Sequence, residues 1–122
     1  MSNYSQIRVN GKRLWDSLMR MAEVGKTAGG GCNRQALTHE DKIGRDLFCE
    51  WCKSAGCEVR TDKVGNIFAR RPGFIAERSP ILFGSHLDTQ PTGGKFDGVY
   101  GVLAGLEVIR TLNDAELGTL GP

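Results

Sequence analysis

Residues 80–85, Pro-Ile-Leu-Phe-Gly-Ser, limit the fold more than any other stretch of the chain. The run is short and nearly continuous in apolar character, so it has no polar face to offer to water. A strand of that kind is buried on both faces and needs helices to cover it. The helices are legible elsewhere in the chain. Residues 10–24 place Leu14, Leu18, Met21 and Ala22 on one helical face, with Lys12, Arg13, Asp16 and Arg20 mostly elsewhere. Gly25 and Gly29-Gly30-Gly31 then open a polar loop that reaches Leu37. Thr38 is a good N-cap, Glu40 and Asp41 place negative charge in the following turn, and Ile43, Leu47, Trp51 and Ala55 recur every fourth residue up to a stop at Gly56.

Beyond Gly56 the period changes to two: Cys57, Val59 and Thr61 alternate with Glu58, Arg60 and Asp62. Turn residues 62–66 lead back into Ile67-Phe68-Ala69-Arg70, which predicts a hairpin. A last helix is expected over residues 98–112, with Val102, Leu106 and Ile109 on one side. Helix, helix, hairpin, buried strand and helix make an α/β domain.

Charge and composition exclude several classes of partner. With 16 Lys+Arg against 14 Asp+Glu, the net charge of +2 is too small and too evenly spread to make a nucleic-acid or anionic-membrane surface. The longest apolar run, residues 98–106, falls far short of the roughly 20 residues that a membrane-spanning helix needs. The first six residues lack the charged flank and apolar core of a signal peptide, so a cytoplasmic location is expected. The four cysteines are few for a disulfide scaffold and read as free thiols.

The chemistry is concentrated where the apolar run ends. Residues 84–98, GSHLDTQPTGGKFDG, lead from the expected strand into the last helix, the kind of sheet edge at which α/β proteins bind ligands. In extended chain His86 and Asp88 face the same way, so a carboxylate can hold the imidazole in one tautomer while its other nitrogen binds a metal. Asp97 follows a double glycine and precedes the N-terminus of a helix, where a carboxylate is favoured. Taken singly, His86 reads better as a hydrogen-bonded structural residue and Asp97 as a helix cap, and only together with Asp88 and the glycines do they point to a metal. On the residues alone the metal and structural readings both stay open.

Residues 84–114, reading GSHLDTQPTGGKFDGVYGVLAGLEVIRTLND, resemble the first metal-binding segment of dinuclear amidohydrolases in the M20 metallopeptidase clan. The branch is that of N-carbamoyl-L-amino acid hydrolase, allantoate amidohydrolase and β-ureidopropionase. Upstream, Thr38-His39-Glu40-Asp41-Lys42 with Arg45-Asp46, Glu58-Val59-Arg60-Thr61-Asp62 and Val64-Gly65-Asn66-Ile67-Phe68 support it, as does the short spacer between His86 and Asp97. The resemblance implies that residues 1–122 are part of a catalytic domain, a mixed sheet flanked by helices, with the dimerising lid domain absent. It further implies that His86 ligates one of two divalent ions (zinc or manganese), that Asp97 bridges both, and that Asp88 orients His86. The substrate would be a small N-carbamoyl or ureido compound, hydrolysed with release of ammonia and carbon dioxide from the carbamoyl group; the parent enzymes are homodimers. Gln90 and Lys95 lie close enough in sequence to contact a substrate carboxylate, although solvated loop positions account for them better.

The same resemblance calls for a Glu-Glu pair on a strand after the last helix and for two later histidines, none of which occurs in residues 115–122. The expectation is therefore an inactive isolated chain, marginally stable and prone to self-association through uncovered strand edges. Two rival readings are weaker. A non-enzymatic metal or interaction module could be built on Cys49, Cys52 and Cys57, but they contain one Cys-x-x-Cys pair and no second matched pair, and the first two sit inside an expected helix. Gly25-Lys26-Thr27 ends like a phosphate-binding loop, but Arg20 stands where that motif needs glycine, and a helix precedes it rather than a strand. His39 reads as a solvated first-turn residue, and Trp15 and Trp51 as helix packing.

Overall fold

A computed structural model describes residues 4–122. After a short 3-10 turn at Tyr4–Gln6 come helix α1 (Gly11–Ala22), helix α2 (His39–Ser54), strands β1 (Glu58–Thr61) and β2 (Ile67–Arg70), and helix α3 (Val99–Asp114). β1 and β2 form an antiparallel hairpin, with Thr61 opposite Ile67 and Glu58 opposite Arg70. The α/β class and the order of the three helices and the hairpin follow the sequence pattern. Among the described residues no helix is long and apolar enough to cross a membrane.

Local chemistry accounts for the element boundaries. Asn10 caps α1 by accepting from the Arg13 N–H, and Thr38 caps α2 by accepting from the Asp41 N–H; each such cap contributes about 1 kcal/mol. Asp41 is itself buried and accepts from the N–H of Leu37, fixing the chain's entry into α2. In the hairpin turn the Asp62 carboxylate accepts from the backbone N–H groups of Val64 and Asn66 and from the Asn66 amide, and these bonds lower its pKa, the Asn66 side chain contributing most. Arg45 of α2 donates to the Gly65 carbonyl and so ties the turn to the helix.

The core lies between the helices: Leu18 and Met21 from α1, Cys52 from α2, and Val99, Leu103, Leu106 and Ile109 from α3, closed by Cys57 and Leu87. Full burial of each large apolar side chain contributes roughly 1.5–3 kcal/mol. Into this packing α3 inserts a carboxylate, Glu107, which is only 1% exposed. It accepts from Arg13 Nε at 2.9 Å and Nη2 at 2.7 Å and from the Asn10 N–H at 3.1 Å, so its charge and lone pairs are matched across the α1–α3 contact. Burial pushes the Glu107 pKa up, but the Arg13 and Asn10 hydrogen bonds outweigh it and hold the carboxyl below its ordinary value.

Residues 80–85 depart from expectation. No strand among the described residues pairs with them; Ile81 is 84% and Leu82 79% exposed, and only the backbone N–H of Ile81 is tied, to the Pro122 carbonyl. The run is not the buried strand its composition suggests, because its partners and its outer layer are not supplied by these residues. Ile43 is also more exposed than its place in the four-residue period implies.

Candidate functional site

The segment that leaves the apolar run lies against α3 along a row of glycines. A Cβ on Gly105 would stand 2.6 Å from the Phe83 ring, one on Gly101 2.9 Å from the Ser85 Cβ, and one on Gly98 would fall on the His86 imidazole. Gly98 also has φ of +69°, a conformation that side chains disfavour. Side-chain-free helix surface therefore seats Phe83, Ser85 and His86 in reverse order along α3.

From Leu87 onward the chain alternates. Leu87 and Thr89 are buried, while His86 and Asp88 face the other way, as the two-residue period requires. His86 is half-exposed, and its Nδ1 lies 3.0 Å from the backbone carbonyl of Asp88 and 3.4 Å from the carboxylate Oδ1 of the same residue. A carbonyl oxygen only accepts, so this contact calls for Nδ1–H and leaves Nε2 with its lone pair. The orienting contact expected from the Asp88 carboxylate is thus shared with, and closer at, that residue's own main chain.

Asp97 is exposed and sits one residue before Gly98, the N-cap of α3. No side chain caps that helix, so Asp97 does not serve as the ordinary N-cap that was its alternative reading. The contact of Gly98 with the imidazole brings Asp97 and His86 to the same end of α3. Gln90 is exposed and contributes its main-chain carbonyl to the turn, accepting from the Thr89 hydroxyl and the Gly93 N–H. Lys95 is half-buried in the same loop. Next to the segment, a cavity of about 290 Å³ opens between α2, β2 and α3, with Arg45, Asn66, Ser85, His86 and Asp88 on its walls.

As donors for a divalent cation these residues fit in part. The free Nε2 and an uncapped carboxylate are suitable ligands, whereas a catalytic zinc takes three protein ligands, and among the described residues no group of three or more His, Cys, Asp or Glu side chains is disposed to hold a metal. The cysteines offer no substitute site. Burial raises the pKa of Cys49 and Cys57 and pushes Cys52 up to about 12, away from the thiolate that metal binding uses.

Sequence reasoning missed Arg34, which is 1% exposed at the end of a polar loop, where no periodicity marks a buried residue. Glu107 was also missed, although it occupies the face of α3 shared with Leu103 and Thr111, and the helical period alone would have exposed that conflict. His39 is exposed in the first turn of α2 and Trp51 packs against the core, as expected. Trp15 differs: it is exposed on α1, with its ring centroid 6.0 Å from that of Phe96, the neighbour of Asp97.

No family model matches the chain. It is 56% identical over 115 residues to an N-carbamoyl-L-amino-acid amidohydrolase of Rhizobium meliloti, a match covering 94% of this chain and 28% of that protein. A hydantoinase/carbamoylase family amidase from Burkholderia ambifaria superimposes with a TM-score of 0.91 at 61% identity, covering 92% of this chain and 28% of that one. The chain belongs to the hydantoinase/carbamoylase family of amidohydrolases. An allantoate amidohydrolase of Bacillus subtilis is 37% identical over 101 residues, 83% of this chain and 24% of that protein. The chain spans about 28% of the length of the first of these relatives.

Proposed function

We propose that this chain carries one part of the dinuclear site of an amidohydrolase that cleaves linear C–N bonds in N-carbamoyl or ureido compounds. The observation that carries this reading is the His86 imidazole, set by the Asp88 carbonyl with its Nε2 free, against Gly98 and beside Asp97. In the proposal His86 would ligate one ion, Asp97 would bridge the two, and Asp88 would fix the tautomer of His86. A pair of zinc or manganese ions, when bound, supplies polarisation of the carbonyl and activation of water.

The chain's own contribution is narrower. Asp88 holds the proton on Nδ1, Gly98 keeps the ring surface clear, and the cavity beside His86 gives a small substrate room. General-base chemistry has no carboxylate assigned to it in these residues, so the isolated chain is proposed not to turn over substrate. Relatives named for N-carbamoyl-L-amino acids and for allantoate support the substrate class without choosing within it.

The test is elemental analysis of the purified chain for zinc and manganese, with His86→Ala and Asp97→Ala alongside, followed by an assay on N-carbamoyl-L-amino acids with either metal added. Metal that is lost in both variants, with no turnover, is the expected result. Metal content indifferent to both substitutions would remove the site, and turnover by the 122-residue chain would remove the claim of inactivity.

A further inference from the structure

Arg34 is a buried cation that enters no ion pair among the described residues. Its guanidinium is instead spent on main-chain carbonyls: Nε donates to Leu87 at 2.9 Å, and Nη1 donates to Met21 at 3.1 Å and Val24 at 2.7 Å. Met21 and Val24 lie at the C-terminal end of α1, where exposed carbonyls favour a cation. Room for the side chain comes from Gly44 of α2, where a Cβ would stand 2.8 Å from Arg34 Cδ. The guanidinium thus bridges α1 and the segment that carries His86.

The main chain of Arg34 completes the link. Its N–H donates to the Thr89 hydroxyl at 2.7 Å, and its carbonyl accepts from the Thr89 N–H at 2.8 Å. That last N–H belongs to the same peptide group as the Asp88 carbonyl, and the two ends of a planar trans peptide point in opposite directions. With the N–H end fixed inward on Arg34, the carbonyl end is fixed outward, where it accepts from His86 Nδ1. The guanidinium sets the preceding peptide through the Leu87 carbonyl. Two successive peptide groups on either side of Asp88 are therefore oriented by one residue.

We propose that Arg34 is a positioning residue that sets the tautomer and orientation of His86 through the Leu87 and Asp88 peptide groups. The planar fork of arginine suits this role, because Nε and Nη1 leave in fixed directions toward two elements, whereas a lysine ammonium is a single point donor. The consequence for metal binding rests on the reading of His86 as a ligand; the effect on the imidazole does not.

The experiment is a long-range ¹H–¹⁵N correlation spectrum of the histidine rings in the full chain at about pH 8, where imidazole is neutral, with exposed His39 as internal reference. Wild type is expected to show His86 in the Nδ1–H form alone. In Arg34→Lys, and to a smaller extent in Thr89→Val, an Nε2–H population is expected at His86, with His39 unchanged and zinc affinity lower by roughly 10–100-fold for Arg34→Lys. Thr89→Val keeps the guanidinium bonds, removes the hydroxyl's bonds to the Arg34 N–H and to the Gln90 and Cys32 carbonyls, and covers the case in which Arg34→Lys does not fold. An unchanged His86 pattern in either folded variant overturns the proposal. If zinc fails to perturb His86 in wild type, the metal reading is lost, while the tautomer comparison still decides the role of Arg34.

Discussion

The contact between α1 and α3 and the stretch over residues 80–98 are built on opposite terms. In the helix pair, apolar side chains are buried and the charged Glu107 is matched donor for donor by Arg13 and Asn10. In residues 80–98, Ile81, Leu82 and Phe83 are exposed, and His86 is positioned by Gly98 and the Asp88 backbone carbonyl while its remaining nitrogen stays free. The first region satisfies every group it buries and gains stability from doing so. The second leaves donor atoms unsatisfied at the surface, which adds little to stability and is what a binding site requires.

Removing the buried carboxylate should break this contrast most sharply. Glu107→Ala leaves Arg13 and the Asn10 N–H without their partner and is expected to cost about 3 kcal/mol, the low end for a buried pair because Arg13 is partly in water; denaturant unfolding measures it. The same pair predicts acid sensitivity. Because the folded pKa of Glu107 lies below its ordinary value of 4.5, its contribution is present above that pH and is lost as pH falls through the folded value. Glu107→Gln should flatten that part of the stability profile, and a profile unchanged by it would count against the pairing.

Gly98→Ala should have the next largest effect, about 2 kcal/mol from the positive φ, together with loss of any zinc bound at His86, since the new methyl falls on the imidazole. Gly29→Ala, where a Cβ meets nothing within 4 Å and φ is not in the left-handed region, is the matched control and should change stability by no more than about 0.5 kcal/mol. Similar losses in both would mean that His86 is not seated on Gly98. The smallest change in stability is expected for Ile81→Lys, within about 0.5 kcal/mol, yet it should lower self-association measured by light scattering. If it destabilises the chain by several kcal/mol, residues 80–85 are buried in solution and the contrast between the regions fails.

The helices and the hairpin were legible because their signals are local. Thr38 caps α2, Leu18 and Met21 mark the inner face of α1, and Asp62 with Gly65 makes the turn; each acts within a few residues of itself. The common outward side of His86 and Asp88 was legible for the same reason, since alternation is a property of any extended chain. Composition misled at residues 80–85, because apolar character records what a segment needs to bury and not whether a neighbour is present to cover it.

What the sequence by itself determined, then, is the three helices, the hairpin and the placement of candidate ligands at the mouth of α3. Only the tertiary structure decided that Arg34, 53 residues before Leu87, clamps the segment bearing His86. It alone revealed that Glu107 is neutralised by Arg13 from 94 residues away and that Gly98 is the seat of an imidazole. The physical reason is common to all three. A buried charge or a missing Cβ has meaning only through the group that meets it, and that group is brought there by the fold, not by its neighbours in the chain.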